Sequence, residues 1–261
     1  MSKRMFDSAS PPDYATARTL RASTGASVFA VYVPGWGAPY RGATVPEVKA
    51  LVAAGYQILP ILVPDGVAPP LNVTEAGVGI AKAQEFMADC GLTCPTVAVD
   101  IESNWSSGNL GDAVWTFQSF QVAAKRQGVL LVQYGSPAFL NALPRPLEAA
   151  AWVASWAGVD WPPDGLGAPG LMNDGQWTQG IGWQWSGATT LLGASVDRSV
   201  IPDTWDLSVV KPPSDPSPAP TPDPTPTTNP GSPSTSPTQS DIEQAVSLAK
   251  SLLAYLESLL A

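Results

Sequence analysis

Histidine is missing from all 261 residues. Without imidazole there is no Ser-His-Asp or Cys-His catalytic arrangement and no His-containing zinc site of the usual kind. Acid-base chemistry must run on carboxylates, Tyr, Lys or Cys. Cations are scarce too: 13 Lys and Arg stand against 22 Asp and Glu, a formal net charge of -9. That excludes the basic surface on which nucleic-acid binding depends and a polybasic membrane anchor. No apolar run approaches the roughly 20 residues of a membrane-spanning helix, so no membrane insertion is expected. The opening stretch MSKRMFDSASPPD has basic residues but no apolar segment behind them. No secretory signal peptide is therefore expected.

Cysteine is nearly absent. Cys90 and Cys94 sit in CGLTC, a spacing too wide for a CxxC redox motif. Two thiols also fall short of a four-cysteine zinc site. No metal and no cofactor is expected. The two cysteines are a candidate disulfide if the protein works outside a cell. Otherwise they are two small buried residues around a helix end.

Residues 211–239 read KPPSDPSPAPTPDPTPTTNPGSPSTSPTQ, without an aromatic or large aliphatic side chain. Such a stretch cannot bury a core and is expected to be an extended linker. Residues 240–261 follow with the form of a capping box at Ser240 and Glu243. Ile242, Ala245, Ala249, Leu252, Leu256 and Leu259 then recur at alternating spacings of three and four. This is the seam of an amphipathic helix that needs a partner. Self-association, docking on another protein and folding back on the main domain all satisfy it.

In residues 1–210, β-type apolar runs alternate with helical stretches. The runs are RMFD, SVFAVYV, YQILPILV, TVAVDIE, VLLVQYG, AAWVASW, GIGWQWS and TLLGASVD. Helices are expected around 13–23, from Thr44 to Ala54, from about Thr74 to Asp89 and from about Asp112 to Gln127. Repeated β-then-α order implies parallel strands with helical crossovers, and runs apolar on both faces imply strands covered on both sides. The pattern fits an α/β fold, a (β/α)8-type TIM barrel with its last helices reduced. A doubly wound open sheet is the alternative, although no GxGxxG or P-loop supports nucleotide binding.

Function in a barrel sits at the C-terminal strand ends, and acids and aromatics recur there. Asp7 ends RMFD; Asp100 and Glu102 end AVDIE; Gln133 and Tyr134 close LLVQYG; Trp156 ends WVASW. GWQWS carries Trp183, Gln184 and Trp185, and GASVD carries Asp197. Residues i and i+2 of a strand share a face, so Asp100 and Glu102 are expected to project together. Two close carboxylates repel, and one keeps its proton to higher pH. An acid beside an ionised carboxylate is what glycoside hydrolysis needs, and it needs no histidine. Alone, such a pair is more often solvated strand-end charge.

FDSAS, VAVDIES, WVASWAG and GWQWSGATTLLGASVDRSVI occur in the order seen in family-25 glycoside hydrolases, the lysozyme-type muramidases. The stretch from FDSASPPD through VFAVYVPGWG to TVPEVKALVAAGYQILPILV resembles more closely the glycoside-hydrolase-like domain of actinobacteria and their phages. The resemblance covers about residues 4–205. It implies a barrel acting on peptidoglycan or another cell-wall glycan. Glu102 matches the proton donor and Asp100 its partner; Asp7 and Asp197 match the supporting acids. Tyr134, Trp156, Trp183 and Trp185 are candidates to line the groove, with Tyr32, Trp36, Trp105, Gln133 and Gln184 beside them.

In place of the aromatic segment common after the third muramidase strand, this chain has ILPILVPDG. The resemblance points to a β-1,4 glycosidase, and its combination with few Lys residues, an Ala-, Gly- and Pro-rich composition, no expected signal peptide and a tethered C-terminal helix suggests a phage product, tail-associated in the virion or an endolysin released from the host cell. The C-terminal helix would then meet other virion subunits or its own copies. The alternative is a non-catalytic glycan-binding or structural tail protein using the same groove.

Overall fold

In a computed structural model the described residues are 2–36, 41–64, 71–101, 110–143, 148–156 and 177–210. The expected linker and C-terminal helix, residues 211–261, lie outside them. Five βα steps come first: β1 (Ser2–Ser8), α1 (Tyr14–Thr24), β2 (Val28–Tyr32), α2 (Val45–Ala53), β3 (Gln57–Leu62), α3 (Val73–Asp89), β4 (Thr96–Asp100), α4 (Leu110–Gln127), β5 (Leu130–Gly135) and α5 (Pro137–Ala142). Then follow β6 (Ala150–Ala154), β7 (Ile181–Leu191) and β8 (Ala194–Pro202). The helices begin where the sequence supplies acceptors for their unpaired N–H groups. Asp13 caps α1, while Thr44 with Glu47 and Asn72 with Glu75 form reciprocal capping boxes on α2 and α3.

The eight strands close into a barrel, β8 pairing back onto β1. Closure decides between barrel and open sheet. It also corrects one strand. β1 through β7 run parallel, but β8 is antiparallel to both its neighbours. TLLGASVD is therefore a hairpin rather than a strand. Leu192 and Gly193 have φ of 51° and 82°, the two positive values of a turn whose twist matches right-handed strands. The chain has Leu-Gly where Asn-Gly or Asp-Gly would have advertised the turn.

Alternation along the strands sorts two apolar layers. Phe29, Val31, Val97, Val99, Ile101 and Val153 face the helices. Met5, Val28, Ala30, Ile61, Ala98, Val132 and Trp152 fill the barrel interior. The lower end is plugged by the segment after β8, with Trp205 and Leu207 joining the interior cluster. Gly182 makes room for the plug, since a Cβ there would stand 2.9 Å from Cη2 of Trp205. Trp205 Nε1 donates to Gln179 O at 3.0 Å, Ser208 N donates to Ile58 O at 3.3 Å, and Thr96 Oγ1 donates to Asp206 O.

Cys90 caps the C-terminal end of α3 and Cys94 precedes β4; both are free thiols. Among the described residues no helix is long and apolar enough to cross a membrane, and no His, Cys, Asp or Glu cluster could hold a metal ion.

Candidate active site

Among the described residues three acids reach the open end of the barrel. Asp7 follows Met5 on the inward face of β1, and Asp100 follows Ala98 on that of β4. Asp197 stands opposite Asp7 in the β1–β8 ladder. It lies near the N-terminal end of its strand, yet arrives at the same mouth because β8 runs the other way. Asp7 and Asp100 are both buried. The Asp7 carboxyl is held well above the usual carboxylate range, first by burial and then by the charge of Asp197. A side-chain hydrogen bond to Asp197 and, least of all, the charge of Asp100 push it the same way, and a hydrogen bond from Gln184 pulls it down. Two carboxyls this close repel when both are ionised, so they titrate as a coupled pair in which Asp7 keeps its proton to higher pH.

Gln184 of β7 joins these acids to an aromatic wall. Its Nε2 donates to Asp7 Oδ2 at 3.3 Å and to Asp197 Oδ2 at 3.2 Å. Its Oε1 accepts from Tyr134 Oη–H at 2.8 Å and from Trp156 Nε1–H at 3.2 Å. An indole N–H can only donate, which fixes the amide with oxygen toward Trp156 and nitrogen toward the acids. Tyr134 packs edge-on against Trp152 at 4.8 Å, and Trp152 Nε1 donates to Ser199 Oγ at 3.1 Å. Trp156 is 69% exposed although its nitrogen is held. Its ring lies against Gly187, where a Cβ would stand 3.0 Å from Cε2 and Cζ2. Gly187 falls within the register irregularity between Ser186 and Thr189 of the β7–β8 ladder, which re-aims the strand at this point.

The expected residues divide. Asp7, Asp100, Asp197, Tyr134, Trp156 and Gln184 come together. Tyr32 packs on the interior cluster, at the end of β2. Gln133 does not join them. It sits on the outer face of β5 and braces the strands, its Nε2 donating to Val99 O and Tyr134 O at 3.0 and 2.7 Å.

Trp183 and Trp185 are buried with Val200 in a separate outer cluster. Trp183 Nε1 donates to Ser155 O at 2.7 Å, and the Arg198 guanidinium lies 5.9 Å from the Trp185 ring centre. Once Gln184 points inward, its two neighbours must point outward. Trp36 lies against α3, where a Cβ on Gly79 would meet its ring at 2.7 Å. Glu102 and Trp105 lie outside the described residues. Trp152 and Ser199 were not among the sequence candidates. The signal for Trp152 was its spacing of four from Trp156 in WVASW, which places both on one face.

No family model matches the chain, and no curated protein matches it. Solved structures do. An uncharacterized protein of B. stearothermophilus is 16% identical, with a TM-score of 0.58 over 77% of this chain and 96% of that one. The catalytic domain of endolysin ply40, from bacteriophage P40 of Listeria monocytogenes, is 13% identical, with a TM-score of 0.50 over 78% of this chain and 94% of that one. The Clostridium perfringens spore cortex lytic enzyme SleM is 14% identical, with a TM-score of 0.50 over 77% of this chain and 67% of that one. At these identities the likeness is one of fold.

Proposed function

We propose that the barrel is a cell-wall glycoside hydrolase of muramidase type, cleaving a β-1,4 bond next to N-acetylmuramic acid. The observation that carries this reading is the convergence of Asp7, Asp100 and Asp197 with Gln184, Tyr134 and exposed Trp156 at one barrel end. Acids set among aromatic faces suit a sugar, which offers hydroxyls at its edge and C–H groups on its face. The barrel shared with an endolysin catalytic domain and a cortex lytic enzyme supports the same direction.

In this mechanism Glu102 is the general acid, a role carried by the D-x-E motif. It protonates the glycosidic oxygen as the bond to the anomeric carbon breaks. Asp100, ionised, stabilises the positive charge that develops there or orients the substrate's acetamido group, and water, giving a proton to the Glu102 carboxylate, then adds to the anomeric carbon and completes the hydrolysis. The Asp7–Asp197 pair, when it shares a single proton, both donates to and accepts from sugar hydroxyls. Trp156 offers its open ring face to the glycan.

The test is lysis of actinobacterial peptidoglycan by wild type and Glu102→Gln, followed by turbidity across pH. Wild type clears the suspension and the variant does not. No lysis by wild type at any pH refutes the enzyme and favours glycan binding alone; equal lysis by the variant refutes Glu102 as the acid. We infer also that the protein is a phage product, acting from the virion tail or as an endolysin. Mass spectrometry of purified particles separates these two, since an endolysin is absent from them.

A further inference from the structure

The Gln184 amide has a donor side and an acceptor side, and both are fully engaged. Two hydrogen bonds run to acids on β1 and β8, and two come from aromatics on β5 and the end of β6. The side chain is 1% exposed, so no solvent competes for these positions. Trp156, in contrast, is open to water and is fixed by its nitrogen and by Gly187 beneath it.

We propose that Gln184 is a positioning residue that locks the aromatic wall to the acid pair. Trp156 and Tyr134 keep one orientation while Nε2 is held by Asp7 and Asp197. The coupling follows from amide polarisation. When Nε2–H donates to an ionised carboxylate, electron density shifts toward Oε1, which becomes a stronger acceptor. When the pair takes up its second proton, Oε1 weakens and its hold on Trp156 Nε1–H loosens. The groups facing the amide are Asp7 from β1, Tyr134 from β5 and Asp197 from β8, and the charge of Asp100 on β4 acts on Asp7. Coupling of this kind is reciprocal: a glycan that fixes Trp156 favours the singly ionised pair. This inference rests on the glycan-cleaving reading only for what the lock serves.

The experiment reads the lock without substrate. Indole Nε1–H resonances of the 15N-labelled full chain are followed over pH, with Trp156 assigned by its loss in Trp156→Phe. In wild type the Trp156 resonance moves with the acid pair and returns upfield on acidification. In Gln184→Leu it stands at the position of a solvent-exposed indole and no longer moves with pH. In Gln184→Glu, whose carboxylate still accepts from Trp156 and Tyr134, the resonance stays near its wild-type position. The acid pair, having lost a donor and gained a neighbouring charge, then titrates at higher pH. A Trp156 resonance that ignores pH in wild type, or that is unchanged in Gln184→Leu, overturns the proposal. If Gln184→Leu does not fold, the wild-type titration and Gln184→Glu still decide. Failure of wild type to lyse peptidoglycan leaves these spectra untouched, so the two readings fail separately.

Discussion

Replacing Gly187 by alanine perturbs the aromatic wall through one methyl group. The added Cβ would stand 3.0 Å from Cε2 and Cζ2 of Trp156 and 3.3 Å from its Nε1. Carbon atoms rest about 3.5–4.0 Å apart, so something must retreat by about 0.5 Å. The indole, exposed and at the end of a side chain, is what gives way. Its 3.2 Å bond to Gln184 Oε1 then stretches to about 3.7 Å, beyond hydrogen-bond length. Losing that bond costs about 1 kcal/mol. Alanine returns about 0.4–1 kcal/mol by restricting the unfolded chain. The melting temperature should therefore stay within about 4 °C of wild type, while lysis at limiting peptidoglycan falls about fivefold to tenfold. Circular-dichroism melts and turbidity kinetics measure the two, and tryptophan emission reports the displaced ring. Full activity with unshifted emission would refute the reasoning. A much larger loss of melting temperature would mean that Gly187 serves the fold instead.

Asp7→Asn should stabilise the protein increasingly as pH rises. The folded-state pKa of Asp7 lies above its unfolded value because of burial and Asp197. The native state is therefore least penalised below about pH 4, and loses stability as pH rises from there through the folded pKa. Melts from pH 3 to 8 should show variant and wild type diverging toward neutrality; a constant offset would contradict the assignment. Trp205→Ala removes the fully buried plug and its bond to Gln179 O, and should cost about 3–5 kcal/mol in urea unfolding. A loss below about 1 kcal/mol would show that the lower end repacks without it. Burial pushes the thiols of Cys90 and Cys94 up to about 11 and about 12. Neither should react with a disulfide reagent at neutral pH until the protein is unfolded, and rapid native labelling would refute this.

The βα alternation was legible because strands covered on both faces are written as unbroken apolar runs, and because Thr44–Glu47 carries its cap in the sequence. The hairpin at Leu192 was not, because its turn uses a residue that rarely takes positive φ. In the site, the acids were found by their place at strand ends, a rule that holds for Asp7 and Asp100. Asp197 satisfies it by a different route, as the start of a reversed strand. The aromatics were harder. GWQWS puts Trp183, Gln184 and Trp185 at one strand end, but alternation sends only every second side chain inward. Nothing in five letters says which. The hydrogen bonds of Gln184 decide it, and those belong to β1, β5 and β8.

The plug beneath the barrel also decides where the protein can be held. Ser2 pairs with Pro202, and Val210 pairs with Leu92 just before β4. The first and last described residues thus lie on the closed side, with the strands' length between them and Trp156. A partner joined directly before Ser2 or directly after Val210 starts on the side away from the mouth. Barrels fixed at Ser2 or Val210 should present that mouth outward.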